Sequence, residues 1–105
     1  MFLSLLFSTM LCTPTACVLP DTIESKIVSY AIQYNVDPNT ALRIAECESN
    51  TGKNLYNKTS SAKGIYQFID STFSNYCEGH VLNADDNIIC FMQLYEQHKA
   101  WWQCK

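Results

Sequence analysis

Residues 37–52 read DPNTALRIAECESNTG, and the fold follows from what this stretch has to be. Asp37 is a ready N-cap, because its carboxylate can accept from the free amides of a first helical turn. Pro38 suits the first helical position, where its missing N–H would have had no partner. Ala41, Ile44, Ala45 and Glu48 then recur at three- and four-residue spacing, one face of a helix running to about Ser49. Gly52 marks the stop. The helix separates its two glutamates. Glu46 stacks over Asn39, Leu42 and Arg43, with Arg43 three residues behind as an ion partner, and reads as a solvated side chain. Glu48 ends the apolar stripe in the last turn, where the helix dipole disfavours negative charge. Desolvation and dipole both raise a carboxyl pKa, which is what a general acid needs to hold its proton near neutral pH. A half-buried carboxylate without chemistry fits the same position, and this stretch alone leaves both readings open.

Upstream, LPDTIESKIVSYAIQYN carries apolar residues at 23, 27, 28, 31 and 32, a second helical stripe, with Asp21 or Thr22 as its cap. Downstream, residues 50–63 are polar and read as a loop. GIYQFI, opened by Gly64, is a short apolar run, a core strand or turn with Ile65 and Phe68 inward. DSTFSNYC offers Asp70 or Ser71 as a cap and about two turns of helix. After a second loop over residues 78–86, a last helix is expected from Asp85 or Asp86 to about His98, with Ile88, Ile89, Phe91, Met92 and Tyr95 at helical spacing. The class is mainly α, a small fold of about four to five helices.

The first 19 residues carry no charged side chain, and MFLSLLFSTMLC is apolar. With small residues at Thr15, Ala16 and Cys17, this reads as a secretory signal over residues 1–17, although it lacks an early Lys or Arg. The run is short for a membrane span. Lipidation at Cys17 is the lesser reading, because Pro14 stands where such signals usually have Leu. Residues 18–105 then form one domain, small enough that its core is thin and covalent staples help. Cys47, Cys77, Cys90 and Cys104 imply two disulfides in an exported chain, with three connectivities open. His80 and His98 bring zinc to mind, but no cysteine pair has finger spacing, so no metal and no cofactor is expected. With ten acidic and seven basic residues, net charge −3, the chain has no nucleic-acid footprint. Asn57-Lys58-Thr59 is a glycosylation triplet of the kind that occurs often by chance.

In order, AECESN, a polar loop and SSAKGIYQFIDSTF resemble the signature of the lysozyme-like lytic transglycosylases. There a helix ends in Glu-Ser, and a polar loop leads to Ala-x-Gly-Leu-Met-Gln and a Thr-containing helix start. The matching positions here are Glu48-Ser49, Ala62-Lys63-Gly64, Ile65-Tyr66-Gln67 and Thr72. YAIQYNVDPNTALRIA is similar to the family's first two helices, and DDNIICFMQLY to its later Asn-Ile helix. A cysteine just before the glutamate, with another near the C-terminus, is similar to the resuscitation-promoting factors of the same superfamily. The resemblance covers residues 27–104.

It implies a disulfide-stapled, lysozyme-like domain that cleaves the MurNAc-β-1,4-GlcNAc bond of peptidoglycan. Glu48 would be the general acid and then the base, and Ser49 would help position its carboxylate. Gly64 would let the backbone approach the sugar, the backbone of Tyr66 would meet an N-acetyl group, and Gln67 would hydrogen-bond substrate. Glycosidases usually employ two carboxylates, whereas this family works with one. Asp70, Asp85 and Asp86 read as helix caps, which favours the single-carboxylate transglycosylase over a hydrolase of the same bond. A catalytically weak wall-binding or structural module on the same fold is the alternative of another class. The family's Tyr-Asn-x-Gly stretch, whose Tyr helps hold the catalytic carboxyl, is replaced by HKAWWQC. Tyr95 is the candidate for that role, and Trp101 or Trp102 either stacks on sugar rings or packs the core. Cys47–Cys104 and Cys77–Cys90 are the expected pairings. An acidic, exported monomer that acts on glycan strands is the expectation, whether secreted, periplasmic or held in a virion or secretion channel.

Overall fold

The computed structural model describes residues 21–104 and, upstream, the backbone of Leu11–Cys12 (β1) and Cys17–Val18 (β2). These two short strands pair antiparallel, Leu11 opposite Val18 and Cys12 opposite Cys17. The expected signal over residues 1–17, its cleavage site and the Cys17 anchor lie outside the residues whose side chains are described. Four helices follow: α1 (Ile23–Gln33), α2 (Pro38–Ser49), α3 (Asp70–Tyr76) and α4 (Ala84–Leu94), with a 3₁₀ turn over Lys99–Trp101. The protein is mainly helical, as expected.

Thr22, not Asp21, caps α1. Its hydroxyl accepts from the Ser25 N–H at 3.1 Å while the Ser25 hydroxyl accepts from the Thr22 N–H at 3.1 Å, a reciprocal box that satisfies two free donors. The helix buries Ile27 and Ala31 and packs on both α2 and α4. Ile32, expected in the stripe, is 59% exposed; one residue beyond Ala31, it is turned about 100° out of the seam.

Asp37 caps α2 as expected, accepting from the Thr40 N–H at 2.9 Å and the Thr40 hydroxyl at 2.7 Å. Those bonds stabilise the charged carboxylate and lower its pKa. The stop is Asn50 rather than Gly52: Asn50 adopts the left-handed conformation (φ 52°) and its N–H returns to the Ala45 and Glu46 carbonyls.

The remaining caps correct the expectations. Asp70 is the first residue of α3 and Ile69 the residue before it, with no side-chain cap. The Asp70 carboxylate instead pairs with Lys63, and its N–H donates to the Ser61 hydroxyl at 2.9 Å. Asn83 caps α4, its Oδ1 accepting from the Asp86 N–H at 2.9 Å. Asp85 and Asp86 are used elsewhere. Asp85 accepts from Lys26 Nζ at 3.2 Å and the Tyr30 hydroxyl at 3.0 Å, tying α4 to α1, and Asp86 accepts from the His80 N–H at 2.9 Å. The helix stops at Leu94, short of His98.

Between and beneath these elements lies a core of aromatic rings. Tyr66 stacks on Phe91 with centroids 3.7 Å apart, and Trp102 meets Phe91 and Phe68 edge-on at 4.9 and 5.5 Å. Both expected disulfides are present, Cys47–Cys104 joining the end of α2 to the C-terminal segment and Cys77–Cys90 joining the end of α3 to α4. Among the described residues no helix is long and apolar enough to cross a membrane.

Candidate active site

Glu48 stands in the last turn of α2, half-buried, between residues that are anchored on either side. On one side Cys47 is tied to Cys104. On the other, Ser49 is 1% exposed, donates to the Ile65 carbonyl at 2.7 Å and accepts from the Gly52 N–H at 2.9 Å. Among the described residues nothing donates a hydrogen bond or an ion pair to the Glu48 carboxylate. Burial without such partners raises its pKa above the usual carboxylate range. A carboxyl in this state keeps its proton at higher pH and can give it up to a ligand. Glu46 is exposed, as expected, but not paired with Arg43; the guanidinium donates to the Thr40 hydroxyl at 3.3 Å instead.

Residues 64–67 form a tight turn closed by reciprocal backbone bonds between Lys63 and Phe68 at 3.0 and 3.1 Å. Two residues in it are left-handed, Gly64 (φ 87°) and Gln67 (φ 53°). The turn is held from three sides. Ser49 takes the Ile65 carbonyl, the Tyr66 hydroxyl donates to the Ala41 carbonyl at 2.8 Å, and Asn87 Oδ1 accepts from the Tyr66 N–H at 2.9 Å. Asn87 also donates to the Val81 carbonyl at 2.8 Å.

Three residues expected at the substrate also have partners within the fold. Ser49 faces the turn and not the Glu48 carboxylate. A Cβ at Gly64 would lie 2.1 Å from Asn87 Nδ2 and 2.7 Å from the Val81 carbonyl oxygen, so on that side the fold itself requires glycine. Tyr66 is 0% exposed, and its N–H and carbonyl serve Asn87 and Trp102 Nε1 (2.8 Å). Burial raises the Tyr66 phenol pKa far above its ordinary value, so the hydroxyl stays protonated as a donor.

Gln67 does reach a groove. With Phe68, Ile69, Thr72, Trp101 and Trp102 it lines an open depression of about 300 Å³. Its Nε2 donates to the Leu55 and Gly64 carbonyls at 3.1 and 2.9 Å, and its Oε1 has no donor among the described residues. The two tryptophans differ in burial. Trp102 is 3% exposed and belongs to the core, while Trp101 is 42% exposed on the groove wall. Tyr95 is buried among Phe91 and Trp102 and makes no hydrogen bond to Glu48, so it does not replace the missing tyrosine. Glu48 is not itself a lining residue of this groove. It is linked to it through Ser49 and Ile65, and through Cys47, Cys104 and the adjacent tryptophans.

Residues 25–90 match the family model described as Transglycosylase SLT domain, more than half of the chain. The chain belongs to the transglycosylase SLT family. No curated protein and no solved structure matches it significantly. The SLT match takes in α1, α2, the 64–67 turn, α3 and most of α4, hence Glu48 and Gln67; Trp101 and Trp102 lie beyond it. Family membership implies cleavage of glycosidic bonds in general.

The sequence reading assigned neither Asn87 nor His98 a part in this arrangement. Asn87 sits on the buried face of α4 beside Ile88 and Phe91, a polar residue in an apolar stripe, and that placement was its signal. His98 stacks on Trp101 at 3.9 Å, a contact between residues in an irregular segment that no periodicity announces.

Proposed function

We propose that the protein is a peptidoglycan lytic transglycosylase acting on the MurNAc-β-1,4-GlcNAc bond, with Glu48 as its single general acid and base. The observation that carries this reading is an unpaired, half-buried carboxyl with a raised pKa inside the SLT match, while Asp70, Asp85 and Asp86 are engaged. Asp70 is paired to Lys63, Asp85 to Lys26 and Tyr30, and Asp86 to the His80 backbone. A hydrolase would need a second free carboxylate or its equivalent across the bond.

In this mechanism protonated Glu48 delivers its proton to the glycosidic oxygen as the C1–O bond breaks. The substrate's own N-acetyl oxygen supports the positive charge at C1. The Glu48 carboxylate then takes the proton of the C6 hydroxyl, whose oxygen bonds to C1. A 1,6-anhydro ring closes, Glu48 is protonated again, and no water is consumed. The acid must be protonated at the start, so a raised pKa extends activity toward neutral pH.

The test is digestion of purified peptidoglycan with the oxidised chain, followed by mass analysis of the released fragments. Anhydro-muramyl ends are expected. Reducing ends one water heavier would replace the reading with a muramidase, and wall binding without release would replace it with a binding module. Glu48→Gln should abolish release with the fold retained.

A further inference from the structure

The groove beyond the SLT match combines features that suit a sugar ring. Trp101 offers an exposed indole held in place on two sides, stacked on His98 at 3.9 Å and 16° and met edge-on by Tyr76 at 5.4 Å. An aromatic ring pre-positioned in this way loses little side-chain freedom when a ligand lies on it. Two polar groups on the lining have no partner among the described residues, Gln67 Oε1 and the Thr72 hydroxyl. An apolar plate beside one acceptor and one hydroxyl matches a pyranose, whose C–H face is apolar and whose rim carries hydroxyl and amide donors. No lining residue is charged.

We propose that this groove is a binding subsite for an uncharged N-acetylhexosamine ring, an N-acetylglucosamine rather than a peptide-bearing muramic acid, with Trp101 as its platform. The substrate class rests on the glycan-cleaving reading; the choice of ring rests on the lining. The stem peptide of a muramic acid carries carboxylates, and the groove has no cation to meet them. The Cys47–Cys104 bond ties the C-terminal segment that follows Trp101 and Trp102 to the Glu48 end of α2. Gln67 occupies its left-handed conformation because its amide is folded back onto Gly64 and Leu55, and that leaves Oε1 as the group available to a ligand.

The experiment is a titration of tri-N-acetylchitotriose into the full oxidised chain, followed by the indole N–H signals in heteronuclear NMR and by calorimetry, with muramyl dipeptide as the second arm. We expect chitotriose to shift the Trp101 signal saturably, and muramyl dipeptide to leave it in place. Trp101→Ala should weaken chitotriose about tenfold, and Trp101→Phe, which keeps a ring, much less. Unchanged affinity in Trp101→Ala, stronger binding of muramyl dipeptide, or shifts confined to the far side near Arg43 and Glu46 would each overturn the proposal. If the alanine variant unfolds, the wild-type shift map decides alone. The same titration in Glu48→Gln separates the two readings: binding there does not need the acid. Failed binding alongside normal glycan cleavage removes the subsite only, and intact binding without cleavage in the wild type removes the catalytic reading only.

Discussion

Replacing Gly64 with alanine tests whether the glycine serves the fold or the substrate. Its φ of 87° lies in the left-handed region, where a non-glycine residue costs about 1–2 kcal/mol. The new Cβ would also lie 2.1 Å from Asn87 Nδ2 and 3.0 Å from its Cγ, so Asn87 must move. Moving it breaks the 2.9 Å bond from the Tyr66 N–H and the 2.8 Å bond to the Val81 carbonyl. Leaving such buried groups unpaired costs about 1–3 kcal/mol each. The total for Gly64→Ala is about 3–8 kcal/mol, a Tm fall of more than about 12 °C in a domain of this size. In an Asn87→Ala background the obstructing side chain is gone and the Val81 carbonyl is no longer held. There the same substitution should cost the backbone term, about 1–2 kcal/mol, and a shift of the Val81 carbonyl, whose oxygen lies 2.7 Å from the new Cβ. Urea unfolding of the four proteins under oxidising conditions gives the coupling, expected at about 2–6 kcal/mol. Additive costs within about 0.5 kcal/mol would refute the reasoning. A Gly64→Ala protein with unchanged stability and lost glycan binding would return the glycine to the sugar.

The other predictions concern Glu48 and the staples. Because the folded-state pKa of Glu48 is raised, the neutral form is the one the fold favours; its stabilising contribution is full below the unfolded pKa and is lost as pH rises through the folded value. Glu48→Gln should therefore melt higher than wild type near neutral pH and lose that advantage in acid, and equal melting at both pH values would contradict it. The loss of cleavage as pH rises through the Glu48 pKa should fall above the usual carboxylate range in a pH–rate profile. Removing Cys47–Cys104, which spans 57 residues, should cost about 1.3 kcal/mol more than removing Cys77–Cys90, which spans 13, as read from urea midpoints of the paired Cys→Ala variants. Trp102→Phe keeps a ring but leaves the Tyr66 carbonyl without its 2.8 Å donor, for a loss of about 1–3 kcal/mol by the same assay.

The helices were legible because their determinants are local. Asp37 and Pro38 announce α2 within two residues, and the apolar spacing then assigns Glu48 and Glu46 to different environments. The α4 cap was not, because Asp85 and Asp86 are as good a pair of caps as Asn83 until Lys26, Tyr30 and the His80 N–H claim them from elsewhere in the chain. The turn at 64–67 shows the same limit. That a glycine is required there is visible in the residue, but what requires it is Asn87, 23 positions away and invisible to spacing. The bond from Ser49 to the Ile65 carbonyl was not legible either, since Ile65 is brought to Ser49 only by the fold. The two tryptophans could not be told apart in sequence, because an irregular segment carries no face assignment; the hydrogen bond to Tyr66 sends Trp102 inward and leaves Trp101 outside.

The bond between Cys47 and Cys104 also sets an order of events. The helix that carries Glu48 is made from the first half of the chain, but the covalent tie that fixes the Trp101 wall of the groove waits for residue 104 and for an oxidant. A chain emerging N-terminus first therefore holds its acid before it holds its groove. In a reducing compartment the last segment is kept in place by non-covalent contacts such as those of Trp102 with Tyr66 and Phe91 and of Trp101 with Tyr76. Assembly of the site thus becomes a step in time, completed where thiols are oxidised.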